Sequence, residues 1–181
     1  MYLLQFDGLF RGMIEYGGNS LEAGFMSYGW VIYKDGILIA RGLGVFARGK
    51  CANANIAEYL ALIEGLDALY DMGVSDQEIE VRGDAKSVIE QMDGSARVSS
   101  APTLILYQSA LSLSQRFEKL DWCWVPREGN RAADSLTRQA IRRMHDNSAT
   151  YQKLLRKLDK SSSSDEILSV LDLRVFQTAH S

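Results

Sequence analysis

The sequence predicts an α/β domain built on a mixed five-stranded sheet with helices on its faces. Three strand-like segments come first, and Asp35-Gly36, a strong signal for a tight hairpin, lies between the second and the third. Helical and strand-like segments then alternate, which is typical of parallel pairing. The predicted order, β-β-β-α-β-α-α-β-α, therefore joins an antiparallel half to a parallel half.

The first three strands are predicted from short apolar runs bounded by turn residues. Residues 2–7 are mostly apolar or aromatic and precede Gly8, so Asp7 is predicted to lie at the tip of a buried strand. Residues 28–33 and 37–45 flank the hairpin turn. We expect these three strands to form an antiparallel meander.

The clearest helix is predicted over residues 56–72. Its apolar residues recur at helical spacing, and Gly73 supplies the expected stop. The remaining elements follow from shorter patterns: a strand at 78–81, helices at 85–92 and 102–117, a strand at 120–125 and a last helix at 131–144.

The chain changes character after His145. Residues 1–145 carry all the elements of the predicted domain, and residues 146–181 are predicted to be a C-terminal extension. Serines at 161–164 suit a flexible linker, and an apolar periodic pattern returns at 165–176. We expect this tail to pack on its own domain, on a second copy of the chain or on a protein partner.

Composition limits the classes of protein to consider. With 181 residues, 46% of them apolar, the chain is long enough for one substantial domain. No apolar run approaches the roughly 20 residues that cross a bilayer, and the N-terminal residues lack the pattern of a secretion signal. We therefore expect a soluble, intracellular protein without membrane association, in the cytoplasm, with the nucleus or an organelle left open.

Charge and cysteine usage exclude two further classes. The formal net charge of −3 argues against a protein that holds nucleic acid by bulk positive charge. Cys51 and Cys123 are far apart in the sequence, so they predict neither a zinc site nor a disulfide framework, and we expect both to be small buried residues. Trp30, Trp122 and Trp124 lie in predicted strands and are expected in the core.

Four carboxylates lie where predicted elements begin or end. Asp7 closes the first strand, Glu58 lies in the first turn of the long helix, Asp84 follows the fourth strand, and Asp134 lies early in the last helix. In an open α/β sheet such positions converge on one edge. Each carboxylate also has an ordinary explanation, as a turn residue, as a helix N-cap or as an acid at the positive end of a helix.

Converging carboxylates repel one another unless a cation lies between them. Oxygen ligands without histidine or cysteine favour Mg²⁺ or Mn²⁺ over zinc. Two such ions, roughly 4 Å apart, align an attacking water and stabilise the leaving oxygen of a phosphodiester. The four carboxylates therefore predict a two-ion site, provided that they meet in space.

Four segments of the chain resemble the type 1 ribonuclease H family: residues 6–11 (FDGLFR), 55–66 (NIAEYLALIEGL), 82–92 (RGDAKSVIEQM) and 125–136 (VPREGNRAADSL). They occur in the family's order and at compatible spacings. The resemblance implies a ribonuclease H-like fold and an endonuclease that cuts the RNA strand of RNA–DNA hybrids, leaving 5′-phosphate and 3′-hydroxyl ends. It also implies that Asp7, Glu58, Asp84 and Asp134 are the catalytic ligands of two Mg²⁺ or Mn²⁺ ions.

The same resemblance implies a set of hybrid contacts. Polar side chains before the helical glutamate contact 2′-hydroxyls in the minor groove, and Asn55 matches such a position, with Asn53 beside it. Either asparagine also suits a helix N-cap. Gln91 and Asn130 match family positions with either a contact or a structural role, and Arg127 is expected to act on the substrate electrostatically.

Several departures from the family pattern leave alternatives open. Ala54 and Ala85 replace a common asparagine and serine, the loop at 12–27 is longer, the loop at 126–130 lacks the usual histidine, and no basic protrusion follows Gly94. A non-catalytic adaptor that binds a protein or nucleic acid is therefore the alternative to the ribonuclease. A third candidate is a nuclease of the same fold that acts on a different nucleic acid.

Overall fold

The structure is a computed structural model and describes residues 1–12, 24–48, 53–149, 151–153, 156 and 168–177. Its strands are β1 (Tyr2–Gly12), β2 (Gly24–Lys34), β3 (Ile37–Arg48), β4 (Glu78–Gly83), β5 (Lys119–Trp124) and β6 (Leu168–Phe176). Its longer helices are α1 (Ala54–Asp71), α2 (Lys86–Met92), α3 (Ala101–Ser114) and α4 (Arg131–Asp146). A short 3₁₀ turn, Arg127–Gly129, precedes α4.

The six strands form one mixed sheet in the order β5-β4-β1-β2-β3-β6. The pairs β1–β2, β2–β3 and β3–β6 are antiparallel, and β1–β4 and β4–β5 are parallel. The predicted α/β fold with a mixed sheet is confirmed. The prediction of five strands is wrong, because the tail supplies β6, which satisfies the backbone hydrogen bonds along the outer edge of β3.

The hairpin between β2 and β3 turns as predicted. Asp35 and Gly36 both have positive φ, at 49° and 80°, as a type I′ turn requires. The strands before it are longer than predicted, because β1 continues through Gly8 to Gly12 in antiparallel register with β2. Asp7 therefore lies inside a strand and not at its tip. The middle of the predicted 12–27 loop, residues 13–23, lies outside the described residues.

Two helices pack on opposite faces of the sheet and build separate cores. Leu4, Phe6 and Trp30 face α1, whereas Phe25 and Val31 face α4. Both helices come very close to the strands at a glycine: a Cβ on Gly8 would lie 2.2 Å from the Ala57 carbonyl carbon, and one on Gly29 would lie 2.6 Å from the Ala133 carbonyl oxygen. Only glycine allows these approaches.

The C-terminal strand is tied to helix α1 by one arginine, as well as to β3 by backbone pairing. Arg174 of β6 donates hydrogen bonds to Glu64 at 2.7 Å, Asp67 at 2.9 Å and Asp71 at 3.0 Å, which share one face of α1. The predicted division at residues 145 and 146 stays a prediction, since the serine linker at 161–164 lies outside the described residues.

The predictions about the tryptophans and the cysteines have mixed outcomes. Trp30 is fully buried and Trp122 packs against the core, but the prediction for Trp124 is wrong, because this residue is 47% exposed. Cys123 is a free, partly exposed cysteine, and Cys51 lies outside the described residues. In the described parts of the chain, no helix combines the length and the apolar character that crossing a bilayer requires.

Candidate active site

The candidate site lies where two neighbouring strands separate. β1 and β4 pair in parallel only from Tyr2–Ile79 to Gln5–Arg82. Asp7 and Asp84 each lie two residues beyond the last pair, at the carboxyl side of that split. In open α/β sheets such a split is the usual position of a ligand site.

Three of the four predicted carboxylates meet at this split. One oxygen each of Asp7, Glu58 and Asp84 lies within 4.8 Å of the others. α1 begins at Ala54, so Glu58 lies in its second turn and not, as predicted, in its first. The backbone N–H of Gly8 donates to the Glu58 carboxylate at 3.0 Å, and the missing side chain at Gly8 lets α1 come this close.

Burial and mutual repulsion make two of these carboxylates hard to ionise. Burial is the main cause that raises the pKa of Asp7 to about 6, and the charges of Asp84 and Asp134 raise it further against a hydrogen bond from Thr137. Burial and the charges of Asp7 and Asp84 raise the pKa of Glu58 well above its usual value. A divalent cation between the carboxylates would reverse this penalty.

A buried asparagine holds Asp84 in place. Asn130 is fully buried, and its amide donates at 2.7 Å both to the Asp84 carboxylate and to the Phe6 carbonyl. Of the two roles that the sequence left open for Asn130, the structure shows the structural one, and a contact with substrate stays a prediction. The carbonyl of Asp84 in turn accepts a hydrogen bond from the indole of Trp124 at 3.1 Å, a contact that sequence reasoning missed.

The fourth predicted carboxylate, Asp134, lies nearby but is paired with arginines. It is in the first turn of α4, as predicted, and raises the pKa of Asp7 through its charge. Arg127 donates to its Oδ1 at 2.5 Å, while Arg138 donates to Oδ2 at 2.8 Å and to Oδ1 at 3.2 Å. The hydrogen bonds from Arg138 and Arg127 hold the pKa of Asp134 below its usual value.

The other predicted substrate residues lie around the start of α1 and along α2. Asn53 is the N-cap of α1 and accepts the Ile56 N–H at 3.0 Å, so its cap role is directly visible. Asn55 accepts a hydrogen bond from Ser87 at 3.3 Å. Gln91 accepts one from the Tyr59 hydroxyl at 2.7 Å and keeps part of its side chain exposed. Asn55 and Gln91 thus stay open to either role.

The turn that carries Arg127 is fixed from below. Gln5, buried in β1, donates to the Gly129 carbonyl at 2.9 Å. Asn130, which follows the turn, donates to the Phe6 carbonyl of β1. Arg127 itself projects from this turn with 58% of its side chain exposed. The turn is therefore rigid at its base, while the guanidinium is free to change partner.

The three-carboxylate group has the chemistry of a hard-cation site. It offers oxygen ligands from three different elements and includes no histidine or cysteine, which suits Mg²⁺ or Mn²⁺ better than zinc. Asp134 would complete the set if one of its arginine contacts opened. The donor set fits the kind of ion that the sequence implies.

Comparisons with known proteins agree with this geometry. A family model described as reverse transcriptase-like matches residues 18–140. A bifunctional protein of Mycobacterium tuberculosis is 35% identical over 125 residues, which are 69% of this chain and 34% of that protein. Ribonuclease HI of Halobacterium salinarum is 34% identical over 137 residues, which are 75% of this chain and 62% of that protein.

Solved structures give the same result. The crystal structure of RNase H1 from Halobacterium salinarum has a TM-score of 0.64 at 33% identity and covers 77% of this chain and 96% of its own. LC11-RNase H1 in complex with RNA/DNA hybrid has a TM-score of 0.66 at 28% identity and covers 79% of this chain and 98% of its own. The chain spans about a third of the length of the mycobacterial relative. It belongs to the reverse transcriptase-like family and, within it, to the type 1 ribonuclease H family.

Proposed function

We propose that the chain is an endoribonuclease that hydrolyses the RNA strand of RNA–DNA hybrids with two divalent ions, Mg²⁺ or Mn²⁺. The observation that carries the proposal is the meeting of Asp7, Glu58 and Asp84 within 4.8 Å. Membership of the type 1 ribonuclease H family supports it, as does the structural similarity to LC11-RNase H1 in complex with RNA/DNA hybrid. An intracellular, cytoplasmic setting stays a prediction.

Each carboxylate has a distinct part in this proposal. Asp7, Glu58 and Asp84 would hold one ion, and Asp134, whose charge acts on Asp7, would help to hold the second. Bound ions would supply an activated water and stabilisation of the leaving 3′-oxygen. Asn130 holds Asp84 by its amide, so the chain itself supplies a preformed set of oxygens with little freedom to rearrange.

The proposal predicts metal-dependent cleavage that needs Asp7. A hybrid labelled on its RNA strand should be cut with Mg²⁺ or Mn²⁺ and left whole with EDTA. Asp7→Asn should lower the rate by at least about a hundredfold, because charge stabilisation at the phosphate is lost. Asp121→Asn, which makes the same change on an exposed residue of β5, is the matched control and should keep the wild-type rate.

Substrate choice is tested by a panel run under the same conditions. Hybrid, double-stranded RNA, single-stranded RNA and double-stranded DNA separate the proposed activity from that of another nuclease of this fold. Cleavage of every RNA at the same rate would contradict hybrid specificity. A fully active, folded Asp7→Asn protein would contradict the role of the carboxylates.

One observation favours the non-catalytic adaptor as the second candidate. The ion pairs of Asp134 with Arg127 and Arg138 occupy the carboxylate that a second ion would need. An adaptor would bind hybrid but leave it whole at every concentration of Mg²⁺ and Mn²⁺. The cleavage assay run beside a gel-shift assay with the same hybrid therefore separates the two candidates.

A further inference from the structure

The ion pair between Arg127 and Asp134 joins a predicted substrate residue to a predicted metal ligand. Arg127 donates from the turn before α4, and Arg138 donates from the next turn of α4 itself. Together they make three hydrogen bonds to the two oxygens of Asp134. Oδ1 of Asp134 accepts from both arginines, which uses both of its lone pairs, so a cation that binds this oxygen has to displace one of these contacts.

The two arginines differ in how easily their contacts with Asp134 would break. Arg138 donates to both carboxylate oxygens of Asp134 from two nitrogens. It lies four residues further along the same helix, a spacing that keeps it beside Asp134. Arg127 makes one contact, comes from a different element and has 58% of its side chain exposed. The contact of Arg127 is therefore the one that an incoming cation would break.

Arg127 also faces the other carboxylates. Its charge lowers the pKa of both Asp7 and Glu58, so it lies within electrostatic reach of the whole group. A divalent ion beside Asp134 would be repelled by this guanidinium unless the side chain moved. An exposed guanidinium released at the edge of the group would find a natural partner in a phosphate, which it can bind with two parallel hydrogen bonds.

We propose that Arg127 is an exchangeable counter-ion of Asp134, which passes from Asp134 to a backbone phosphate of the substrate and so makes substrate and the ion at Asp134 bind cooperatively. This inference rests on the proposed function, because it assumes that the carboxylates hold ions and that the ligand is a phosphodiester. It assigns Arg127 two successive partners, Asp134 before the ion binds and a substrate phosphate afterwards. By linkage, the ion must favour substrate binding by the same factor by which substrate favours the ion.

Calorimetric titration of Mn²⁺ tests the first half of the exchange without any catalysis. Arg127→Gln should raise the affinity of the weaker Mn²⁺ site about tenfold, which corresponds to about 1.4 kcal/mol. Arg131→Gln is the matched control, because it removes the same charge at the start of α4 but makes neither contact to Asp134. Its Mn²⁺ affinity should stay within twofold of the wild type.

A second titration tests the exchange itself. The duplex is DNA paired with a 2′-fluoro RNA strand, which keeps the backbone phosphates that Arg127 would bind. In the wild type, saturating duplex should raise the affinity of the weaker Mn²⁺ site, and in Arg127→Gln this increase should be severalfold smaller, because only the direct contact of the phosphate with the ion remains. Arg127→Lys, which keeps the charge without the planar fork, should give an intermediate result and serves as the comparison if Arg127→Gln does not fold.

The outcomes separate this inference from the proposed function. Two Mn²⁺ ions that bind wild type and Arg127→Gln with equal affinity would overturn the exchange and leave the ribonuclease proposal standing. An unchanged effect of duplex on Mn²⁺ affinity in Arg127→Gln would also overturn it. A wild-type protein that binds no Mn²⁺ at all would overturn both.

Discussion

At the scale of single residues, the site brings together acids that would be more stable apart. Asp7 is 5% exposed, and its ionised form is disfavoured mainly by burial and further by the charges of Asp84 and Asp134. A protein that needed only stability would place an uncharged residue here. The arrangement therefore stores an electrostatic cost that a bound cation would offset.

Asp7→Asn should stabilise the protein at high pH in the presence of EDTA. The folded pKa of Asp7, about 6, lies above its ordinary value of 3.8. Folding therefore favours the protonated acid. The contribution of Asp7 to the free energy of unfolding is greatest below pH 3.8 and is lost as pH rises through 6. At 1.36 kcal/mol per pH unit the full effect is at most roughly 3 kcal/mol.

Urea denaturation at pH 8 and pH 4 measures this difference. The free energy of unfolding of Asp7→Asn should exceed that of the wild type by about 1–3 kcal/mol at pH 8, and the gain should shrink towards pH 4. Asp121→Asn should show no such pH-dependent gain. An Asp7→Asn protein that is less stable than wild type at pH 8 would contradict the proposal that ionised Asp7 destabilises the fold.

The sequence identified the acids but not their partners. Asp7, Glu58 and Asp84 could be chosen because the neighbouring segments resemble a known family. The amide of Asn130 under Asp84 and the pairing of Arg127 with Asp134 could not, because both depend on contacts between distant elements. The contact of Arg138 with Asp134 did have a signal, the i, i+4 spacing on one helix.

At the scale of elements, one glycine sets the distance between a strand and a helix. Gly8 followed Asp7 in a pattern that resembles a turn, and for this reason the end of β1 was misplaced. Its actual role is close approach, which no local pattern reveals, because the atoms that it must avoid belong to α1. The predicted start of α1, residue 56, is two residues late, although Asn53 suits a helix N-cap and caps this helix in the structure.

Gly8→Ala should separate Asp7 from Glu58. The new Cβ would lie 2.2 Å from the Ala57 carbonyl carbon and 2.3 Å from the Glu58 nitrogen, both backbone atoms, so α1 has to shift. We expect a loss of about 1–3 kcal/mol in the free energy of unfolding and at least a tenfold weaker affinity for Mn²⁺.

Gly73→Ala is the control that separates a loss of folding stability from a loss of Mn²⁺ affinity. Gly73 has a φ of 69° and no neighbouring atom within 4 Å of a Cβ, so alanine there costs about 1–2 kcal/mol through strain alone. Its Mn²⁺ affinity should equal that of the wild type. Wild-type Mn²⁺ affinity in a folded Gly8→Ala protein would show that the close approach does not set the site.

At the scale of the whole molecule, the tail completes the sheet. The apolar pattern at residues 165–176 predicts a tail that packs on its own domain, on a second copy or on a protein partner, because the sequence does not reveal which surface it joins. In the structure β6 covers the edge of β3, and Arg174 reaches across to α1. Helix α1, which carries Glu58, and the C-terminal strand are thus linked by charge.

Arg174→Gln should loosen this link. It removes the cation that Glu64, Asp67 and Asp71 share, and like charges spaced three or four residues apart on one helix repel. With 22% of the arginine side chain exposed, we expect a loss of about 1–2 kcal/mol, smaller at 1 M salt.

Hydrogen exchange of the β6 amides, measured beside urea denaturation, localises the effect. These amides should exchange faster in Arg174→Gln, whereas Arg142→Gln, the same change on an exposed position of α4, should leave them unchanged. Equal stability and equal protection in Arg174→Gln would mean that backbone pairing alone holds the tail.

The central claim, that carboxylates from separate elements share divalent ions, is tested most directly by anomalous diffraction from a crystal grown with Mn²⁺. We predict one Mn²⁺ bound by Asp7, Glu58 and Asp84, and a second between Asp7 and Asp134 with Arg127 turned away. A map with no Mn²⁺ peak at these carboxylates, from a crystal in saturating Mn²⁺, would contradict it.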